Sequence, residues 1–282
     1  MAASTTTTLN DLLPSIVAEA LFVASERSIM RGLVKNYNIG SASGKTITVP
    51  IYPLQTAAGL TEGDEAVPAA VSTDGVTLTV SEVGLATQVT DLSRIASPSN
   101  VVADIGRLFG EAIARKIDTD LTALFGSFTT NIVGTDSTAI SAATIFHAVA
   151  KLKSAGVPST DLACVLHPAI AYDLKSNLTN TFANPNAGDL QNEAMRMGFV
   201  GMLAGVPVYE TSNIANTGTT GDYNGGVFHR DAIGLALLQD IKIESQRNAL
   251  LRGDDLIATA IYGKGIIYEG YGVKVVADSS VL

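Results

Sequence analysis

The longest periodic stretch of the chain runs from Ser97 to Phe125. Ser97 is a good N-cap and Pro98 sits just inside the start. Val101, Ile105, Leu108, Phe109, Ala112, Ile113, Ile117, Leu121 and Leu124 follow at three- and four-residue spacing. That is the period of a helix with one buried stripe. At about 1.5 Å per residue the helix is roughly 40 Å long. Asp104, Arg107, Glu111, Arg115 and Asp118 fall between the apolar positions and alternate in sign. They predict a charged face whose neighbours pair along the helix. Such a face is either solvated or crossed by a segment of a neighbouring subunit.

Upstream, Leu9, Leu12, Leu13, Ile16, Val17, Ala20, Leu21 and Ala24 predict a first helix ending near Gly32, with Pro14 in its first turn. It is a core helix or an arm that packs on association. Thr46–Tyr52 alternates as a strand, Val76–Val80 alternates again, and Val83–Thr90 extends it. Between these strands lies Pro53–Asp74, rich in Ala, Thr, Gly and Pro. A connection this long is out of place inside a compact domain and reads as functional.

After the long helix, Ser127–Ala139 reads as a Thr/Gly/Asn-rich link. Ser141 caps a helix through Ala155, which Gly156 and Pro158 end. Leu162–Leu166 is a short buried strand, and Pro168 starts a helix over Ala169–Ser176. Asn177–Asp189 is a polar loop, Leu190–Met197 a short helix, Val206–Glu210 a strand and Thr211–Gly225 a second polar loop. The alternation predicts a compact α/β unit over roughly 127–235. Ile241 and Ile243, then Leu256–Tyr262, Gly265–Tyr268 and Gly272–Val276, predict terminal strands. These need an apolar partner, and the long helix has the stripe, so the second domain is discontinuous.

Charge changes the picture of the hairpin. The chain of 282 residues carries a net charge of −9, which argues against a general nucleic-acid-binding surface. From Thr46 to Ser93 there is no Lys or Arg, while Glu62, Asp64, Glu65, Asp74, Glu82 and Asp91 are acidic. A long two-stranded arm is marginal in water, and like charges worsen it unless a basic partner lies alongside. Arg27, Arg31 and Lys35 of the first helix and Arg107 and Arg115 of the long helix are candidate partners for Glu62, Asp64 and Glu65. The expectation is that the hairpin lies on another subunit and meets some of these.

Catalytic chemistry finds no support. Gly40–Ser41–Ala42–Ser43–Gly44–Lys45–Thr46 has three residues between its glycines where a phosphate-binding loop needs four, and it leads into a strand. His147, His167 and His229 are far apart and read as structural histidines. Cys164, in Leu162–Ala163–Cys164–Val165–Leu166, reads as a small buried hydrophobe. No apolar run reaches the ~20 residues of a membrane span, and the N-terminus lacks the basic region of a signal peptide. The expectation is no catalytic residue, no cofactor, no metal and no membrane.

The order of these pieces resembles the major capsid protein of tailed bacteriophages, the Hong Kong 97 type. Gly44–Lys45–Thr46–Ile47–Thr48–Val49–Pro50 is similar to the start of that family's extended loop, and Glu62–Gly63–Asp64–Glu65 to its acidic tip. Val83–Leu92 with Ser97–Pro98 resembles the return strand and the entry to the spine helix. Leu166–His167–Pro168 and Gly205–Val206–Pro207–Val208 resemble axial-domain segments. Gly225–Gly226–Val227–Phe228 and Gln246–Arg247–Asn248 resemble the return to the peripheral domain.

The resemblance implies an α+β capsid fold. Its parts are an N-terminal arm (1–32), an extended β-hairpin loop (46–85), a peripheral domain with the spine helix (33–45, 86–126 and 236–272) and an axial α/β domain (127–235 and 273–282). It implies a coat protein whose hexamers and pentamers form an icosahedral head shell around double-stranded DNA, in a virion assembled in the host cytoplasm. Portal and cement proteins are implied partners. Only Met1–Leu9 precedes the first helix, so any scaffolding protein is expected to be separate. The loop has no Lys beyond Lys45, which argues against the Lys–Asn cross-link of some members. The alternatives are a bacterial nanocompartment shell of the same fold and an extracellular surface or filament protein.

Overall fold

The computed structural model describes residues 28–40, 44–52, 73–96, 101–182, 201–218 and 221–281, with the single residues Ala57, Gly59, Gly63 and Ala70. The first-helix positions before residue 28, the acidic tip, Ser97–Pro98 and the helix expected at Leu190–Met197 lie outside the described residues. The chain enters as a one-turn helix α1 (Met30–Leu33), then strand β1 (Lys35–Asn38). A hairpin follows, β2 (Thr46–Ile51) and β3 (Asp74–Thr79), then β4 (Ser81–Thr90) and a short helix α2 (Asp91–Ala96). The long helix α3 spans Val101–Thr122 and tightens into a 3-10 turn at Ala123–Ser127.

Beyond it come β5 (Ile132–Ala139), α4 (Ala142–Ser154), β6 (Leu162–Leu166) and α5 (Pro168–Phe182). Then come β7 (Met202–Leu203), β8 (Val206–Glu210), β9 (Asp222–His229), β10 (Ile233–Asn248), β11 (Gly253–Ile266) and β12 (Gly272–Asp278). The strands form a four-stranded sheet in the order β1-β10-β11-β4, a six-stranded sheet in the order β5-β12-β9-β6-β8-β7, and the two-stranded β2-β3 hairpin.

The four-stranded sheet is covered on both faces. Ile105, Phe109, Ile113, Ile117 and Leu121 of α3 are buried in one core with Leu235, Ile243, Leu256, Ala258 and Ala260 of β10 and β11. Val49 and Leu78 of the hairpin root share a second core with Ile39, Val80, Ala236 and Ile267. Burying five large side chains of α3 contributes on the order of 10 kcal/mol gross. An exposed ion pair contributes about 0–1 kcal/mol, so the stripe and not the charge ladder seats the helix.

Three predicted positions on α3, Leu108, Ala112 and Asp118, are corrected. Leu108 is 62% exposed and Asp118 is fully buried. The buried face follows an i, i+4 row from Ile105 to Leu121, widened by Ala114 and Asp118. The apolar residues Leu108 and Ala112 therefore turn outward. The hairpin root, read from the sequence as an arm marginal in water, has a core: Leu78 is only 1% exposed. The strand read as an extension of the hairpin, β4, instead pairs along its whole length with β11, from Ser81 opposite Tyr262 to Thr90 opposite Gly253.

In the six-stranded sheet, every residue of β6 is buried, as expected for a strand covered on both faces. Ile145, Ala148, Val149 and Leu152 of α4 share its core, as do Ile170, Ala171 and Leu174 of α5. Helix α4 ends as expected. Gly156 takes φ +76° and Val157 donates its N–H to Leu152 C=O at 3.1 Å, closing the last turn. Phe125 and Phe128, at the end of α3, meet this sheet too. A Cβ on Gly272 would sit 2.3 Å from the Phe128 ring, and the Phe125 and Phe228 rings lie 5.4 Å apart.

Four further readings change. Ile132–Ala139 is an edge strand, not part of a link; seven of its eight positions, all but Val133, are exposed, so no apolar alternation marks it. Helix α5 runs on to Phe182, β9 begins at Asp222 inside the second polar loop, and Leu256–Tyr262 and Gly265 belong to one continuous β11.

Candidate assembly surface

The residues singled out for contact between subunits fall into three groups. Glu62, Asp64, Glu65 and Arg27 lie outside the described residues. Arg31 and Lys35 are engaged within the chain: Arg31 Nη2 lies 2.8 Å from Asp240 Oδ2, and Lys35 Nζ lies 2.8 Å from Asp231 Oδ1. Hydrogen bonding to Asp231 holds the Lys35 ammonium above its ordinary pKa. Arg107 and Arg115 stand exposed on α3, on the face opposite the buried row.

The strongest local electrostatics sit where the chain enters the body. Ser28 Oγ–H, Ile29 N–H and Met30 N–H donate to Asp118 at 2.7, 3.0 and 3.2 Å. Burial holds the Asp118 carboxyl above the usual carboxylate range, against the lowering pull of these hydrogen bonds and one from Asn213. One helical carboxylate therefore anchors the segment that leads into α1 and β1. Two residues on, Asp120 accepts from Lys116 Nζ at 3.0 Å and Tyr262 Oη at 2.8 Å, with Lys264 Nζ at 2.8 Å. Burial would raise its pKa, but the hydrogen bonds from Lys264, Tyr262 and Lys116 outweigh it and hold it low. Asp118 and Asp120 point apart and form no acid–base pair. A periodicity reading alone misses Asp118; a carboxylate aligned with Ala114 and Leu121 is the signal that could have found it.

Two surfaces are suited to contact with another molecule. The first is the outer edge of β4, which no described strand covers. Its ten residues carry one charge, Glu82. A long, nearly uncharged edge is a template for pairing with another chain. The second lies at the far end of the same sheet. Asp91 N–H donates to Arg252 C=O at 2.9 Å and Arg247 pairs with Asp91 and Asp254, which ties α2 to the β10–β11 turn. Leu92, Ile95, Leu250 and Leu251 are 77%, 81%, 96% and 55% exposed there. Exposed apolar side chains concentrated in one region mark interaction sites.

Among the described residues the candidate catalytic side chains do not come together. His167 stacks on Tyr223 with ring centroids 3.8 Å apart, and burial lowers its pKa. His229 Nδ1 accepts from Asp231 N–H at 3.1 Å. His147 is exposed on α4. Cys164 is fully buried, which pushes its thiol up to about 12. Among the described residues no three His, Cys, Asp or Glu side chains are grouped to hold a metal, and no helix is long and apolar enough to cross a membrane.

A family model described as phage capsid protein matches residues 73–279. Among solved structures, the chain is similar to one from the capsid of the cyanophage P-SCSP1u, with TM-score 0.72 and 19% identity over 90% of this chain and 89% of that one. It is similar to a chain of Mycobacterium phage Che8, with TM-score 0.69 and 21% identity over 88% and 90%. The holo-SrpI encapsulin complex from Synechococcus elongatus also matches, with TM-score 0.67 and 11% identity over 90% and 88%. No curated protein sequence matches the chain.

Proposed function

The chain belongs to the phage capsid protein family, a structural protein of the virion shell and not an enzyme, and from that premise we propose that it is the major capsid protein of a tailed bacteriophage. In this reading its copies form hexamers and pentamers of an icosahedral head that encloses double-stranded DNA. A portal protein, a separate scaffolding protein and a cement protein complete the head, assembled in the host cytoplasm.

The observation that carries the reading is how much of the four-stranded sheet is left for partners. Among the described residues no strand covers the outer edge of β4, and the apolar end at Leu92, Ile95, Leu250 and Leu251 is exposed. A monomeric protein would blunt such an edge and bury such an end. The six-stranded sheet with α4 and α5 supports the reading of an axial domain. The four-stranded sheet with α3 supports a peripheral domain, and the β2–β3 hairpin an extended loop. We place Glu62, Asp64 and Glu65 against bases of a neighbour, with Arg115, exposed on α3, the better candidate. Arg31 and Lys35 already hold Asp240 and Asp231.

The encapsulin likeness keeps one alternative of the same fold, a nanocompartment shell. Negative-stain microscopy of the purified protein, with nuclease-protected DNA measured in the particles, tests both. Closed shells holding long double-stranded DNA are expected. Shells holding a protein cargo and no DNA would move the assignment to a nanocompartment, and monomers at high concentration would overturn both.

A further inference from the structure

The hairpin root rests on a floor of nearly absent side chains. Gly234 lies directly opposite Gly265 in the β10–β11 ladder, and Ala236 lies opposite Gly263 one step along the same face. One side chain of the hairpin fills the gap over the glycine pair. A Cβ on Gly265 would stand 2.5 Å from Leu78 Cδ2, and among the described residues, its chain neighbours aside, that methyl is the only heavy atom it would meet within 4 Å. A Cβ on Gly234 would stand 3.1 Å from Leu78 Cδ1 and 2.9 Å from Ile267 Cδ1. A Cβ on Gly263 would stand 2.5 Å from the Thr79 carbonyl oxygen. The two methyls of Leu78 thus straddle a cross-strand glycine pair, and the backbone of Thr79 lies flat on the next glycine.

The hold is local. Leu78 pairs with Ile47 and Val76 with Val49 across the hairpin. Burial falls away from this root: Leu78 is 1% exposed and Val49 8%, while Asp74 at the far end of β3 is exposed. Leu78 is therefore the pivot at which the hairpin is gripped. Six residues of β2 span about 20 Å, so a tilt of about 10° at the root moves the far end about 3–4 Å.

We propose that the Gly234–Gly265 pair, with Gly263, is a socket for Leu78 that fixes the angle at which the hairpin leaves the body, and that this angle sets the curvature with which copies join. The curvature half rests on the shell reading above. The socket half rests only on this chain's own packing.

The test is a compensation cycle in the full chain. Gly265→Ala puts a methyl onto Leu78 Cδ2 and nothing else, so it is expected to unseat the hairpin without unfolding the sheet. Hydrogen exchange at the Val80 amide, which donates to Lys45 C=O at 3.0 Å, should speed up in unassembled subunits. Uniform shells should give way to mixed diameters or open sheets in micrographs. Leu78→Ala alone empties the socket and should loosen the root in the same two readouts. The double variant Gly265→Ala with Leu78→Ala refills the space with one methyl and should recover slow exchange and a narrower range of diameters than either single variant. Gly265→Ala with natural exchange and natural diameters overturns the socket, as does a double variant no better than the singles. Restored exchange without restored diameters keeps the socket and overturns its role in curvature. A natural chain that forms no shells removes the shell reading and the curvature half, and the exchange comparison then decides the socket alone.

Discussion

Asp118 shows what one side chain contributes when it is turned inward. Its carboxylate satisfies two backbone donors and one hydroxyl at the entry of the chain into the body, and a buried donor left without a partner costs about 1–3 kcal/mol. Asp118→Ala is expected to destabilise the subunit by about 2–4 kcal/mol, read as a lower urea midpoint, and to speed tryptic cleavage after Arg31. Asp118→Asn, which still accepts, should cost less. An unchanged midpoint and cleavage rate for the alanine variant would remove the anchor. Glu269 makes a second, pH-dependent contact. It accepts from Thr129 Oγ1–H at 2.6 Å and from the N–H groups of Thr129 and Thr130, both at 3.1 Å, and these hold its pKa down to about 2. A depressed carboxyl stabilises the fold above its ordinary value near 4.5, and that contribution disappears as pH falls through about 2. The stability gap between the natural chain and Glu269→Gln should therefore be full at pH 7 and narrow steadily below pH 4.5. A gap that does not change with pH would show that the carboxylate charge plays no part.

Helix α3 is decided by its buried row. Ile113 is 1% exposed and Leu108 is 62% exposed, five positions apart on one helix. Ile113→Asp and Ile105→Asp bury an unpaired carboxylate, at a cost of several kcal/mol, against a total stability of about 5–15 kcal/mol for a domain. Both are expected to leave the chain insoluble or unfolded by circular dichroism. Leu108→Asp should fold normally. Its defect, if Leu108 faces a neighbour, should appear only as loss of shells. A folded Ile113→Asp subunit would mean that the wrong face of α3 has been taken as buried.

Across the whole molecule, charge acts between copies more than within one. A triple change of Glu62, Asp64 and Glu65 to Lys should leave the subunit folded and weaken or misdirect assembly at low salt. Each exposed contact contributes only about 0–1 kcal/mol, so the effect comes from several contacts and from register. Added salt should partly relieve it by screening. Normal shells from the triple variant at low salt would show that these charges are merely solvated. The same hairpin sequence carries no Lys between Thr46 and Ser93. Denaturing gels of mature particles should therefore show one band at the single-chain mass, and a ladder of linked chains would overturn that inference.

The sequence by itself determined the period of each element that is covered on one side. The α3 stripe, the α4 helix with its Gly156 stop, and the strands β2 and β8 are set by spacing within a few residues, because local period decides which face is apolar; β6, buried on both faces, is marked instead by its unbroken apolar run. It also carried the one-sided charge of the hairpin. Tertiary structure decided what depends on partners distant in sequence. Asp118 and Asp104 are both acidic residues of one helix; Asp118 aligns with Ala114 and Leu121, but the donors that hold it in the interior come from Ser28–Met30 and Asn213, about 90 residues away. The polar edge strand Ile132–Ala139 exists because β12, about 140 residues later, offers it a parallel ladder. Gly234, Gly263 and Gly265 read as punctuation between strands. Folding places them under Leu78 and Thr79, where the space above a glycine matters more than its backbone freedom. That space belongs to two segments more than 150 residues apart, so no local pattern can contain it.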